Sequence, residues 1–342
     1  MSAVVRRGVR RRAVFPLAVG GAILLLLLAV ALSLTVGARA VDPSVVLDAL
    51  LRPDPTDNDH VVVLTQRVPR TIIGLVAGAA LALAGTVMQG LTRNPFADPG
   101  LLGVNAGAAL GVMLAVSVLG LTQSSSFVWF AFVGAALAAV LVALIGSAGA
   151  DGANPAKLAL TGAAVTAGLT AVTWFVLVTD DAALDAYRYW SVGSLTGRDL
   201  DTVWMVIAPI AVGGVLALAG GRGLDLIALG EDTARGLGHN VERTRIVGIV
   251  AAVLLCGGAT AIAGPIVFLG LMIPHALRAL IGDAYPRLLT VGVFVGAAVL
   301  LVADVVGRLI APPGEVQAGV VVAMIGAPVL VALVLRQRQV TL

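Results

Sequence analysis

Charge is scarce in this chain. Only 12% of its 342 residues are charged, against about 25% in a typical soluble domain, which excludes an ordinary water-soluble fold. Cysteine occurs once, as Cys256 inside an apolar run. That excludes an intrachain disulfide and a multi-cysteine metal site, and leaves a small buried apolar side chain. Lysine also occurs once. Lys157 follows Ala156, so a phosphate-cradling GxxxxGK[ST] loop cannot exist here, and any ATP that drives this protein must be bound elsewhere. Three histidines, His60, His239 and His275, stand in separate loops or run ends without ligand spacing. No nucleophile, base and acid form a constellation, so no catalytic and no metal-ligating residues are assigned. Aromatics are 4% of the chain.

What fills the space is hydrophobic, small and repetitive. Hydrophobic residues are 59% of the chain, mean hydropathy is +1.03, and there are 41 glycines. This composition specifies an all-α polytopic membrane protein with closely packed helices in a lipid bilayer. The pI near 9.6 reflects positive residues on one side of a membrane, not nucleic-acid binding.

Apolar runs at about 13–36, 71–89, 103–120, 128–149, 158–178, 202–220, 246–264, 266–281, 288–306 and 319–335 predict about ten transmembrane helices, each near the ~20 residues a bilayer demands. The seventh and eighth are separated only by a tight turn at Gly264-Pro265. The chain divides into a basic amino end, 1–12, and one ten-helix domain, 13–338. Its first run is too long in its apolar core for a cleaved signal peptide and is read as a retained span. An even span count puts both termini on one side. With that side cytoplasmic, fifteen of the 22 Lys and Arg lie inside, leaving Arg39, Arg52, Arg67, Arg70, Arg188, Arg198 and Arg308 outside, as the positive-inside rule requires.

The polar connections carry the remaining information. Pro43 to Leu51 reads as a short surface helix. The outer stretch Thr179 to Asp201 is amphipathic, with Tyr187, Tyr189 and Trp190 suited to the membrane interface. The inner stretch 221–245 contains LGEDTARGLGHNVERTR, read as two short helices. Glu231 and Asp232 occupy a first turn, Gly236 or Gly238 ends it, and Asn240 caps the next. The stretch DVVGRLIAPPGEVQAG, Asp304 to Gly319, reads as an outer loop. Gly74, Gly78, Ala82 and Gly85 recur every three to four residues in the second run, leaving one helix face nearly bare for a close neighbour. The runs carry almost no ionisable residue, which counts against an ion-coupled carrier or channel.

Three stretches resemble the FecCD-type permeases of ABC importers. They are RVPRTIIGLVAGAALALAGTVMQGLTRNPFADPGLLGVNAGA, ALGEDTARGLGHNVERTRIVGIVAAVLLCGGATAIAGPIVFLGLMIPHALR and LLVADVVGRLIAPPGEVQAGVVVAMIGAPVLVALVLR. Within the family, TRNPFADPGLLGVNAGA and LCGGATAIAGPIVFLGLMIPH look closest to ferric-enterobactin permeases. The family's Glu-Leu-Pro-aliphatic-Gly motif is here Glu315-Val316-Gln317-Ala318-Gly319, without its proline.

The resemblance implies a permease subunit in a bacterial cytoplasmic membrane, moving a ferric siderophore of catecholate type. Cobalamin or haem is the alternative cargo, and an ion-coupled secondary transporter the alternative of another class. It implies a second permease, identical or paralogous, two ATPase subunits that hold ATP and Mg, and an extracytoplasmic binding protein; the chain itself needs no cofactor. By resemblance, Arg67, Arg70 and Arg308 face the binding protein. The inner stretch 221–245 is then the ATPase-coupling segment, with the contact from Leu229 to Arg245 and Leu229, Gly230, Glu231, Asp232, Ala234, Arg235, Leu237 and Gly238 as its coupling residues, and Asn94, Phe96, Pro155 and Ala156, with Asn154, belong to a cytoplasmic gate.

Overall fold

The computed structural model describes residues 3–37, 39–121, 123–148, 155–312 and 314–338. In chain order the helices are α1 (Ala3–Thr35), α2 (Pro43–Leu51), α3 (Asn58–Val62), α4 (Val68–Thr92), α5 (Val104–Leu119), α6 (Ser124–Ser147), α7 (Pro155–Thr179), α8 (Asp181–Trp190), α9 (Leu200–Ala228), α10 (Glu231–Gly236), α11 (Val241–Ala263), α12 (Leu269–Ile281), α13 (Tyr285–Ile310) and α14 (Ala318–Arg338). Among the described residues there is no strand. Each of the ten apolar runs forms a helix. Seven are long and apolar enough to cross a membrane, and α5, α12 and the apolar part of α14 are shorter.

Helix α4 is the hub. It packs on α9, α11, α12 and α13, and 78% of its span is buried within the chain, against 17% for α7. Its bare face explains this. A Cβ added at Gly78 would lie 2.6 Å from the Gly296 carbonyl oxygen of α13. One added at Gly85 would overlap the Gly270 carbonyl of α12. Helix α4 therefore meets two neighbours at backbone distance, the way small residues promote packing where lipid offers no hydrophobic drive.

Four local expectations change. Residues 264–268 form no tight turn but an extended stretch. Gly264 (φ 73°) leaves the helix, Pro265 cannot continue one, and Phe268 is left-handed (φ 69°). The helix that follows, α12, has only 13 residues, about 20 Å at 1.5 Å per residue. The inner connection holds one short helix, α10, because Asn240 caps α11 directly, its Oδ1 accepting from Arg243 N at 2.9 Å. The supposed outer loop from Asp304 is helical as far as Ile310, within α13. Of the three aromatics expected at the interface, Tyr189 is exposed but Trp190 is buried at 1%, within the main apolar core.

Candidate functional site

Two ends of the bundle carry polar structure. At the first end, α1 stops at Thr35, and the last carbonyls of a helix have no partner inside it. Arg67 donates to Leu34 O at 2.7 Å and to Arg39 O at 2.5 Å. Arg308 Nη1 donates to Ser33 O at 2.8 Å and Val36 O at 2.9 Å. Two arginines from other helices thus close the end of α1. A π-helical turn over Val63–Arg67 leads into α4, and such turns redirect side chains at functional positions.

Between Arg70 and Arg308 lies Asp304, wholly buried. Arg70 Nε and Nη2 reach Asp304 Oδ1 at 2.9 and 2.8 Å, while Arg308 Nη2 reaches Oδ2 at 2.5 Å. Arg70 Nη1 donates to Glu315 Oε2 at 2.6 Å, and the Thr196 hydroxyl donates to the same oxygen at 3.3 Å. Two cations and two anions balance, the condition under which a buried ion cluster is tolerable. The structure does bring Arg67, Arg70 and Arg308 together. Their exposures are 6%, 8% and 3%, so their guanidiniums pair inside the chain. Of the four charged residues, Glu315 is the most exposed, at 30% of its side chain. Sequence reading missed Asp304 and Glu315 as the counter-ions; the i, i+4 spacing of Asp304 and Arg308 on one helix face was the available signal. The missing proline at position 317 leaves the loop closed, since Val316 N donates to Gly307 O at 3.0 Å.

In the connection from α8 to α9, Arg198 is buried at 8%, and nothing among the described residues accepts from its Nη1. Burial pushes this guanidinium down to about 10.

At the opposite end sits the segment after α9. Gly230 is left-handed (φ 107°) and starts α10. Glu231 accepts from Arg245 at 2.7 Å and from Arg235 at 3.1 Å. Asp232 meets Arg235 at 3.3 Å. Ala234 is buried with Ile227 and Val241 in a small cluster of its own, so α10 is pinned to α9 and α11 on one side. Leu229 and Leu237, before and after α10, are 62% and 64% exposed. Gly238 (φ 79°) turns the chain, and His239 N returns to Ala234 O at 3.0 Å. Arg245, buried at 8%, is the anchor that sequence reading did not single out.

The loop after α4 is self-braced. Arg93 is left-handed (φ 51°). Asn94 Oδ1 accepts from Phe96 N at 2.9 Å, and Asp98 Oδ1 accepts from Gly100 N at 2.8 Å, starting the 3₁₀ turn Pro99–Leu102. Asn94 is exposed and Phe96 half-buried. Pro155 starts α7 and Ala156 is exposed, while Asn154 lies outside the described residues. Helix α7 meets this loop through Gly162, packed on the Leu101 carbonyl.

The FecCD transport family matches residues 25–336. The ferric enterobactin transport system permease FepD of Escherichia coli is 45% identical over 94% of this chain and 96% of its own. The Fe(3+)-citrate import permease YfmD of Bacillus subtilis is 39% identical over 90% of this chain and 91% of its own. A solved inward-facing metal-chelate type ABC transporter superposes with a TM-score of 0.80 at 27% identity, covering 94% of this chain and 99% of that one. Matched along nearly its whole length, the chain belongs to the FecCD transport family.

Proposed function

We propose that this chain is the permease subunit of an ATP-binding-cassette importer that carries ferric siderophores, of catecholate type, across the cytoplasmic membrane. The carrying observation is full-length likeness to a ferric enterobactin permease at 45% identity, against 39% for a ferric citrate permease. The chain is not itself an enzyme, and ATP is hydrolysed by a separate subunit.

The exposed Leu229 and Leu237, at either end of the braced short helix α10, support the segment 229–238 as the ATPase contact. Apolar side chains exposed on a rigid polar-rimmed element suit a partner's cleft. At the other end, Arg67, Arg70 and Arg308 support a binding-protein face that works by exchange. A lobe carboxylate would take Arg70 in place of Glu315, the part-exposed member of the cluster, with the bidentate geometry that arginine favours. Asn94, Phe96, Pro155 and Ala156 border the cytoplasmic mouth. A second permease completes the path, on a face such as that of α7, where Trp174 and Phe175 are 56% and 70% exposed. The termini and the segment 229–238 share the cytoplasmic side.

Reconstitution tests this reading. Liposomes holding the permease, its ATPase and its binding protein should accumulate ferric enterobactin when ATP is supplied. The permease alone, under an imposed proton or sodium gradient, should accumulate none. Gradient-driven accumulation by the permease alone would overturn the assignment.

A further inference from the structure

A cavity of about 510 Å³ lies between α4, α9 and the start of α11. Its walls are of two kinds. Leu216, Leu224 and Val247 make an apolar side, and His239, Arg243 and Thr244 a polar one. No carboxylate lines it. Arg243 joins none of the ion pairs among the described residues. Its neighbour Arg245, by contrast, is held by Glu231 at 2.7 Å. His239 is fixed at the rim by Thr244, Nε2 to Oγ1 at 2.8 Å.

Gly220 and Gly223 line the cavity. A Cβ added at Gly220 would meet nothing within 4 Å, whereas one at Gly223 would crowd Thr244 at 2.9 Å. The cavity also lies where the apolar run of α9 gives way to polar sequence. Val215 and Leu218 of α9, next to the lining residues Leu216, Ala217 and Ala219, are exposed, whereas exposed Ile246 and Val250 of α11 turn toward α6. Two further cavities, of about 320 and 310 Å³, sit between α5 and α6 and between α6 and α11. Their linings hold no charged residue, so they can hold hydrocarbon but cannot recognise a headgroup. The α4–α9–α11 cavity combines free positive charge with an apolar wall, and its volume lies within the usual range for a ligand site, roughly 300–1,000 Å³.

We propose that this cavity binds an anionic phospholipid, its phosphate against Arg243 and His239 and an acyl chain against Leu216, Leu224 and Val247. A basic pocket between helices at a membrane face suits an acidic headgroup. An uncharged wall in the same cavity favours a lipid over a free phosphate, because a small anion would leave that wall bare. The bound headgroup braces His239, in the turn joining α10 to α11, and Arg243, in the first turn of α11. The site requires no partner subunit, so it stands or falls apart from the ATPase assignment.

The test uses the full chain in detergent. Its thermal unfolding midpoint is followed while phosphatidylglycerol, phosphatidylcholine or glycerol phosphate is titrated in; a ligand that binds only the folded state raises the midpoint. Phosphatidylglycerol should act at lower concentration than phosphatidylcholine, and glycerol phosphate should have no effect. Arg243→Gln should weaken the phosphatidylglycerol response roughly fivefold, the loss expected for one cation near a headgroup. Arg243→Lys should restore it, which separates lost charge from a damaged fold. Gly220→Leu, which fills the cavity, should weaken the response to both lipids. Equal responses to the two lipids would overturn the proposal, as would a glycerol phosphate effect matching that of phosphatidylglycerol. Full lipid preference in Arg243→Gln would also overturn it.

Discussion

At the residue scale, the Arg70–Asp304–Arg308 cluster shows how few side chains hold three elements together. Asp304 is wholly buried between Arg70 of α4 and Arg308 of its own helix, and Arg308 in turn caps α1. Asp304→Asn leaves two guanidiniums inside the protein facing a neutral amide. Breaking one partner of a buried pair typically costs about 3–5 kcal/mol, and the thermal unfolding midpoint of the purified permease should fall accordingly. Glu315→Gln should cost at most about 1 kcal/mol, since its carboxylate is part exposed and its pairing is screened. Equal losses for the two would mean that burial does not set the strength of this cluster. The sequence made the arginines visible but not their state. RVPR and DVVGR advertise positive charge at a span end, whereas burial follows from how α1, α4 and α13 converge, which no local pattern encodes.

At the element scale, pattern and structure agree where periodicity is strong. The glycine face of α4 was legible because a repeat of three to four residues is also the repeat of one helix face, and it is where α12 and α13 settle. The breaks were less legible. Gly264-Pro265 marked an interruption, but the extended stretch to Phe268 depends on packing around it: the Gly264 Cβ position abuts the Trp190 carbonyl. The supposed second inner helix merged into α11 because an Asn cap reads the same before a short helix or a long one. The packing sets a graded expectation for glycine replacement. Gly85→Ala pushes a methyl into the backbone of Gly270 and should destabilise by about 1–3 kcal/mol or more. Gly168→Ala, on the exposed side of α7 with nothing within 4 Å, should be neutral or slightly stabilising because alanine favours helix. Comparing the unfolding midpoints of the two variants checks it, and equal behaviour would contradict the close approach of α4 and α12.

At the scale of the whole molecule, the two polar ends are joined by α4, α11 and α13, helices that are 61–78% buried within the chain. Well-packed interiors transmit displacement rather than absorbing it. A pull on one end is therefore felt at the other, provided the segment that receives it is itself rigid. Segment 229–238 meets that condition through Glu231, Arg235 and Arg245 and through the buried Ala234. It carries the exposed Leu229 and Leu237. If these two enter a cleft of the ATPase, single cysteines at Leu229, Asp232 and Leu237 should crosslink to it in membranes, in a Cys256→Ala background that removes the native thiol. A cysteine at Ala234 should not, because that side chain faces α9 and α11. Leu237→Asp should uncouple transport from ATP hydrolysis while leaving the permease folded, since the position contributes little to its own core. Crosslinking confined to Lys157, on the neighbouring inner connection, would move the coupling site there and leave the exposed leucines without a partner.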